Sequence, residues 1–426
     1  MVLRPKGLLP LVFLLAVLPA QAREMNTWIE IGAEYTDNSL LVPTGESKDY
    51  LYTPRLRVDY MIDNSLLELN LDYEARWTEY DRNTFEDRLD LTGVGDLRIT
   101  ILDRYLFWNA GLNRSRVTLD ARDADTPLNE TERSVFQTGP EFRLGFGQLA
   151  FLTVTADYVE TSFDQDQLFE TTQGRYGITF IRRLSDALNV TLGAQYIDVS
   201  SDEVQLEYEG ERYTVGLSGG GERFRYDLTA GRNTIDRNDG SEVAGGFYSA
   251  RLDLTLRQAT WWVASTRELS DSNLGLALNS SPGDALDNGD ANAGARDIVD
   301  RRRSEIGLRY ELSRSEIRVG ATVDEQDFQS LFRDQETYSA FLVLTYNLSP
   351  RLGVSLQNDF LDSTFQTSDV LERTFDESRH VLQFEYRPNG RMTFTLWGRY
   401  RDRSSDDDPL ENFDEVGGGI TVSFRI

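Results

Sequence analysis

The stretch Leu67-Glu68-Leu69-Asn70-Leu71-Asp72-Tyr73-Glu74-Ala75-Arg76-Trp77-Thr78 alternates strictly between apolar and polar residues. Successive side chains of a strand point to opposite faces, so Leu67, Leu69, Leu71, Tyr73, Ala75 and Trp77 share one greasy face and the charged residues share the other. Soluble sandwiches alternate too, but rarely for a dozen residues. A tilted strand of about 9–11 residues is what a bilayer crossing needs. The pattern predicts an all-β fold: a transmembrane, antiparallel, up-and-down β-barrel.

The same unit repeats on both sides of this strand. Ile29, Ile31, Ala33 and Tyr35 alternate along Trp28–Thr36, and Leu56, Val58, Tyr60 and Ile62 along Tyr52–Ile62. Short turn-forming sequences such as Asp63-Asn64, Gly147-Gln148, Gly219–Gly221, Ser349-Pro350 and Pro388–Gly390 join pairs of strands. Long segments rich in Asp, Glu, Asn, Ser and Thr separate the pairs, among them Asn38–Lys48, Asp120–Glu132 and Asp271–Arg301. Nine short turns and ten long loops give twenty strands, or eighteen if the less regular Asp87–Ile101 and Val243–Leu256 are not strands. Short periplasmic turns and long extracellular loops are the outer-membrane arrangement, with both chain ends on the periplasmic side. Tyr60, Phe180, Phe224, Trp261, Tyr346 and Tyr386 lie beside short turns, and Tyr35, Trp77, Tyr158, Tyr196, Tyr213 and Tyr400 lie toward long loops, as two aromatic girdles require. The chain ends on an alternating strand, Val416, Gly418, Ile420, Val422, Phe424, Ile426, similar to the C-terminal targeting signal of such barrels.

Composition bounds the rest. Arg4 and Lys6, the apolar run Leu8–Leu18 and the A-x-A site Ala20-Gln21-Ala22 predict a cleaved signal peptide over residues 1–22 and a single barrel domain over 23–426. There is no cysteine, which excludes disulfides and thiolate metal sites. With 44 Lys+Arg against 71 Asp+Glu the chain is strongly acidic, which argues against nucleic acid as a partner. The expected surroundings are outer-membrane lipid and lipopolysaccharide of a bacterial outer membrane.

The opening Ile31-Gly32-Ala33-Glu34-Tyr35-Thr36-Asp37-Asn38, an aromatic and acidic strand running into a loop, is similar to the N-terminal strand of the β-barrel porins encoded with bacterial exopolysaccharide and exosortase gene clusters. The resemblance extends in strand texture over nearly the whole length. It implies a role in moving or anchoring surface polysaccharide, with periplasmic export components as partners. That family offers no motif from which a functional residue can be carried over.

Residue patterns that could carry chemistry are few. Gly216-Leu217-Ser218-Gly219-Gly220 has the G-x-S-x-G form, but it ends a strand and enters a glycine-rich turn rather than a helix. His380, the one histidine, shares parity with Leu382, Phe384 and Tyr386 and therefore faces lipid near the outer girdle. No enzyme and no cofactor are expected from these patterns. Asp284, Asp287 and Asp290 space three carboxylates along a Gly-rich loop, a weak Ca²⁺ candidate whose spacing is not that of an EF-hand. Parity turns Arg55, Arg57, Arg76, Arg225, Arg309, Arg318, Arg387 and Arg399 inward, together with Trp397. Two readings of that row differ. It is a set of salt-bridge ladders in a hydrated lumen, or a track on which arginine forks grip an anionic polymer while the tryptophan stacks on a sugar ring. At the level of the whole chain the two classes are a pore or polysaccharide conduit, and a non-transporting anchor or adhesion platform whose acidic loops bind cations, polysaccharide or partners.

Overall fold

A computed structural model describes residues 23–43, 47–165, 170–201, 207–238, 240–271, 297–329, 334–366, 372–405 and 407–426. Twenty strands follow one another in chain order: β1 (Arg23–Thr36), β2 (Asp49–Asp63), β3 (Leu67–Tyr80), β4 (Arg88–Leu102), β5 (Leu106–Thr118), β6 (Glu130–Phe146), β7 (Ala150–Phe163), β8 (Thr171–Ser185), β9 (Leu188–Ser201) and β10 (Tyr208–Gly220). The second half comprises β11 (Phe224–Arg237), β12 (Glu242–Leu256), β13 (Ala259–Asp271), β14 (Ile298–Glu311), β15 (Ser315–Phe328), β16 (Gln335–Ser349), β17 (Leu352–Gln366), β18 (Glu372–Asn389), β19 (Met392–Ser404) and β20 (Phe413–Arg425). Both irregular stretches that left eighteen strands open are strands, β4 and β12.

Every strand pairs antiparallel with its neighbours in sequence, and β1 pairs with β20 from Trp28↔Arg425 to Thr36↔Gly417. The sheet is therefore a closed barrel. Closure matters because a free edge in hydrocarbon leaves backbone N–H and C=O groups with neither water nor a partner. The predicted signal segment 1–22 lies outside the described residues, and β1 begins at Arg23, earlier than the Trp28 read from alternation. Strands run 13 to 18 residues. They exceed the bilayer span, so their ends project beyond it.

The short turns are closed by local chemistry. Asn64 Oδ1 accepts from the N–H groups of Leu66 and Leu67, both at 3.0 Å, tying off the β2–β3 turn. Arg104 and Arg257 take left-handed conformations, φ 67° and 54°, in the β4–β5 and β12–β13 turns. Connections of three and two residues respectively use that backbone to match strand twist.

Side-chain parity is as the alternation requires. Ile29 of β1 stands opposite Leu56 of β2 and Phe424 of β20, and all three are exposed on the outer surface. Trp77, Tyr158, Tyr213 and Tyr400 are exposed toward the loops, and Phe224, Trp261, Tyr346 and Tyr386 toward the turns. These are the two girdles. A polar wall faces the interior, and among the described residues the buried apolar side chains form local clusters rather than one core.

Candidate functional site: the lumen

The inner wall changes character along its length. On β8, Thr171, Gln173 and Arg175 at the loop end are buried, while Arg183 and Ser185 at the turn end are exposed. On β11, Ile235 and Asn233 are buried and Asp227 and Arg225 are exposed. Inward-facing Ile197, Val199, Tyr208 and Ile235 join Leu269 and Ile298 in an apolar cluster at the loop end of β9–β14. The inner wall of these strands is therefore exposed at the turn end and buried at the loop end.

Extracellular segments add to that packing. The 119–129 loop reaches β19, where Arg403 Nη1 donates to the carbonyl of Arg122 at 3.3 Å and Arg401 comes within 3.9 Å of Asp125. Glu377 of β18 holds both arginines, at 2.5 Å from Arg401 and 2.9 Å from Arg403. A cavity of about 560 Å³ lies where this loop meets the 38–43 segment and the β19–β20 loop, lined by Leu41, Leu128, Asn129, Arg373, Arg403 and Glu411.

The structure turns all nine lumen residues read from the sequence inward, and seven of the eight arginines are in ion pairs. Arg55 meets Glu30 at 3.2 Å; Arg57 meets Asp72 at 2.6 Å and Asp59 at 3.3 Å; Arg76 meets Glu74 at 2.9 Å. Arg309 meets Glu311 and Glu316, both at 2.8 Å, and Arg318 meets Glu316 at 3.1 Å. Arg387 pairs with Glu385, and Arg399 bridges Glu34 at 3.1 Å and Glu415 at 2.6 Å. Arg225 makes no ion pair among the described residues and stands exposed near the turn end. Trp397 lies over Gly419, with the Arg399 guanidinium 5.5 Å from its ring centroid. Most of the arginine row is thus neutralised by its own neighbours.

Two arginines outside that row are not. Arg175 of β8 and Arg212 of β10 face the lumen and are 7% and 3% exposed. Neither forms an ion pair among the described residues. Arg175 Nε donates to Gln173 Oε1 at 2.6 Å, and Arg212 Nε donates to Asn233 Oδ1 at 2.7 Å. Those bonds fix both amides with their nitrogens free to donate. Among the described residues, Arg212 Nη1 and Nη2, Asn233 Nδ2 and Gln173 Nε2 find no acceptor. The Arg212 guanidinium rests 4.5 Å above the Phe247 ring. A buried guanidinium without a carboxylate in direct contact is costly, and the arrangement offers an anion several convergent donors. The signal for this cluster was present in Thr171-Thr172-Gln173-Gly174-Arg175, an inward row without a carboxylate. The inward arginines read from parity did not include these two.

The remaining patterns separate. Asp284, Asp287 and Asp290 lie outside the described residues, and among the described residues no group of three or more His, Asp or Glu is arranged to hold a metal. Ser218 closes β10 beside Gly219 and Gly220, opposite Asn189 and Asp227. His380 faces outward on β18, with Tyr400 and Asn358 directly opposite on the flanking strands.

No family model and no curated protein matches this chain. Solved structures do. The siderophore receptor PirA from Acinetobacter baumannii matches over 95% of this chain and 80% of its own, at 9% identity and TM-score 0.56. The ferric enterobactin receptor PfeA from Pseudomonas aeruginosa matches over 95% and 80% respectively, at 9% identity and TM-score 0.51. At such identity the likeness is one of fold. The protein is a bacterial outer-membrane β-barrel, similar in architecture to outer-membrane transporters.

Proposed function

We propose that this barrel is an outer-membrane conduit for an anionic solute, the carboxylate-bearing chain of an exported surface polysaccharide being the class that fits best. The observation that carries the reading is the buried Arg175–Arg212 donor cluster, whose arginines make no direct ion pair among the described residues in a lumen where most of the arginine row does, Asp157 and Glu268 acting on them only from farther off. Arginine forks bind carboxylates bidentately, and burial strengthens the bond. The exposed Arg223 and Arg225 near the periplasmic mouth put positive charge where a polymer arriving from the periplasm would first meet the wall.

A second reading keeps support from the packed loop end: a barrel closed toward the outside, serving as an anchor whose extracellular segments carry the binding. Single-channel recording in a planar bilayer separates the two. A conduit gives steady current steps that a soluble polyuronate blocks, and Arg212→Met weakens the block at least tenfold while leaving the step size. Insertion without current sinks the conduit and leaves the anchor.

A further inference from the structure

Independent of what passes through the lumen, the outer face of β17–β19 carries a second arrangement. His380 Nδ1 lies 2.8 Å from Asn358 Oδ1, and His380 Nε2 lies 3.2 Å from Ser378 Oγ. A carbonyl oxygen only accepts, so the first contact is a hydrogen bond when Nδ1 carries the proton. That tautomer leaves the Nε2 lone pair facing the serine hydroxyl, which is what a general base needs. The ring is held in place. It lies parallel to Tyr400, with centroids 6.2 Å apart and planes at 9°, and edge-on to Phe360 at 5.6 Å. Asp402, opposite Ser378 in the ladder, also accepts from the serine hydroxyl. A hydroxyl has one proton, so donation to Asp402 is a resting arrangement and donation to His380 the reactive one.

Beside the ring, a groove of about 500 Å³ runs along the outer surface, lined by His380, Leu382, Phe384, Leu396, Tyr400 and Val416. Its floor is open because residue 398 is glycine; an added Cβ there would meet nothing nearer than 3.9 Å. That volume is in the range of small-molecule sites. The sequence reading set His380 aside because it faces lipid. For a water-soluble substrate that orientation is unproductive, but for an ester already in the membrane it is the side from which the substrate arrives.

We propose that Ser378, His380 and Asn358 form a nucleophile, base and orienting group that hydrolyse an acyl ester of a lipid lying in the outer leaflet, its acyl chain in the Gly398 groove. Ser378 Oγ bonds to the acyl carbon as its proton moves to His380 Nε2. The ester C–O bond breaks and His380 returns that proton to the leaving alcohol oxygen. Water then attacks the acyl-serine, giving its proton to His380, and the fatty acid leaves as the proton returns to Ser378. Asn358 is the positioning residue that holds the imidazole tautomer.

The test uses the full chain refolded in detergent and in vesicles, with folding verified by the heat-dependent shift in gel mobility. An alkyl fluorophosphonate is expected to label the protein at Ser378. Fatty acid is expected to be released from phospholipid vesicles or from vesicles containing lipopolysaccharide, run side by side to identify which ester is used. Ser378→Ala abolishes label and release, and His380→Ala or Asn358→Ala slows both by on the order of 10²–10⁴-fold. Gly398→Leu fills the groove and stops release from vesicles while a short soluble nitrophenyl ester is still cleaved. A folded native barrel with neither label nor release, or label that persists in Ser378→Ala, overturns the proposal. Undiminished vesicle turnover in Gly398→Leu overturns the groove's part in it.

Discussion

At the scale of single residues, the lumen shows how context sets the worth of a charge. Arg57 and Asp72 form a good fork at 2.6 Å, yet their side chains are 49% and 48% exposed to lumenal water. Such pairs contribute about 0–1 kcal/mol, so Arg57→Ala is expected to leave urea unfolding in detergent nearly unchanged. Arg212 is the opposite case, buried and in no direct ion pair among the described residues. Replacing it with methionine removes a charge held away from water, and stability is expected to hold or rise. A charge kept at such a position is better explained by a ligand than by the fold. Space can matter as much as charge. At Gly307 of β14 an added Cβ would overlap the ring of Trp262, whose Nε1 donates to Glu305 Oε1 at 2.6 Å. Gly307→Ala is expected to cost about 1–3 kcal/mol and to change the near-ultraviolet circular dichroism as the indole is pushed aside.

Among elements, the seam where β19, β20 and β1 meet decides whether the barrel closes. Arg399 of β19 joins Glu34 of β1 to Glu415 of β20, and Thr36 donates to Glu415 at 2.7 Å. Glu415 is 3% exposed. Arg399→Ala leaves two carboxylates facing each other across the closing ladder, and a loss of about 3–5 kcal/mol is expected from losing one partner of a buried pair. Unfolding followed by tryptophan fluorescence measures it, and Arg399→Lys should fall between because it keeps charge without the fork. The sequence reading had Arg399 as a polymer-binding candidate; the seam gives it a structural task. This shows where sequence legibility ends. Period-two alternation is a property of one strand, so Leu67–Thr78 could be read alone, and turn chemistry such as Asp63-Asn64 supplied the strand count. Which inward arginine finds a carboxylate is a property of register between strands. Arg57 beside Asp72 and Arg212 beside Asn233 look alike until the ladders are known. The same holds for His380, whose Asn358 neighbour is twenty-two positions away in sequence and directly opposite in the sheet.

For the molecule as a whole, the two ends of the lumen differ enough to give it a direction. The inner wall is exposed beside the periplasmic turns, at Arg183, Arg223 and Arg225, and buried beside the extracellular loops, at Arg175, Arg212 and Asn233. Acidic segments crowd the outer end, with Asp120, Asp123, Asp408 and Glu411 lining the cavity where the loops meet. A polyanion approaching from outside meets negative charge first, and one approaching from the periplasm meets exposed arginine. The current carried by a single inserted barrel should therefore depend on the sign of the voltage. Polyuronate added on the turn side should block at lower concentration than the same polymer on the loop side. Raising salt from about 0.1 M to 1 M shortens the screening length from about 10 Å to 3 Å and should bring the two concentrations together. Equal block from both sides at low salt would mean that the taper and the end charges do not govern entry, and the directional reading of the conduit would fall with it.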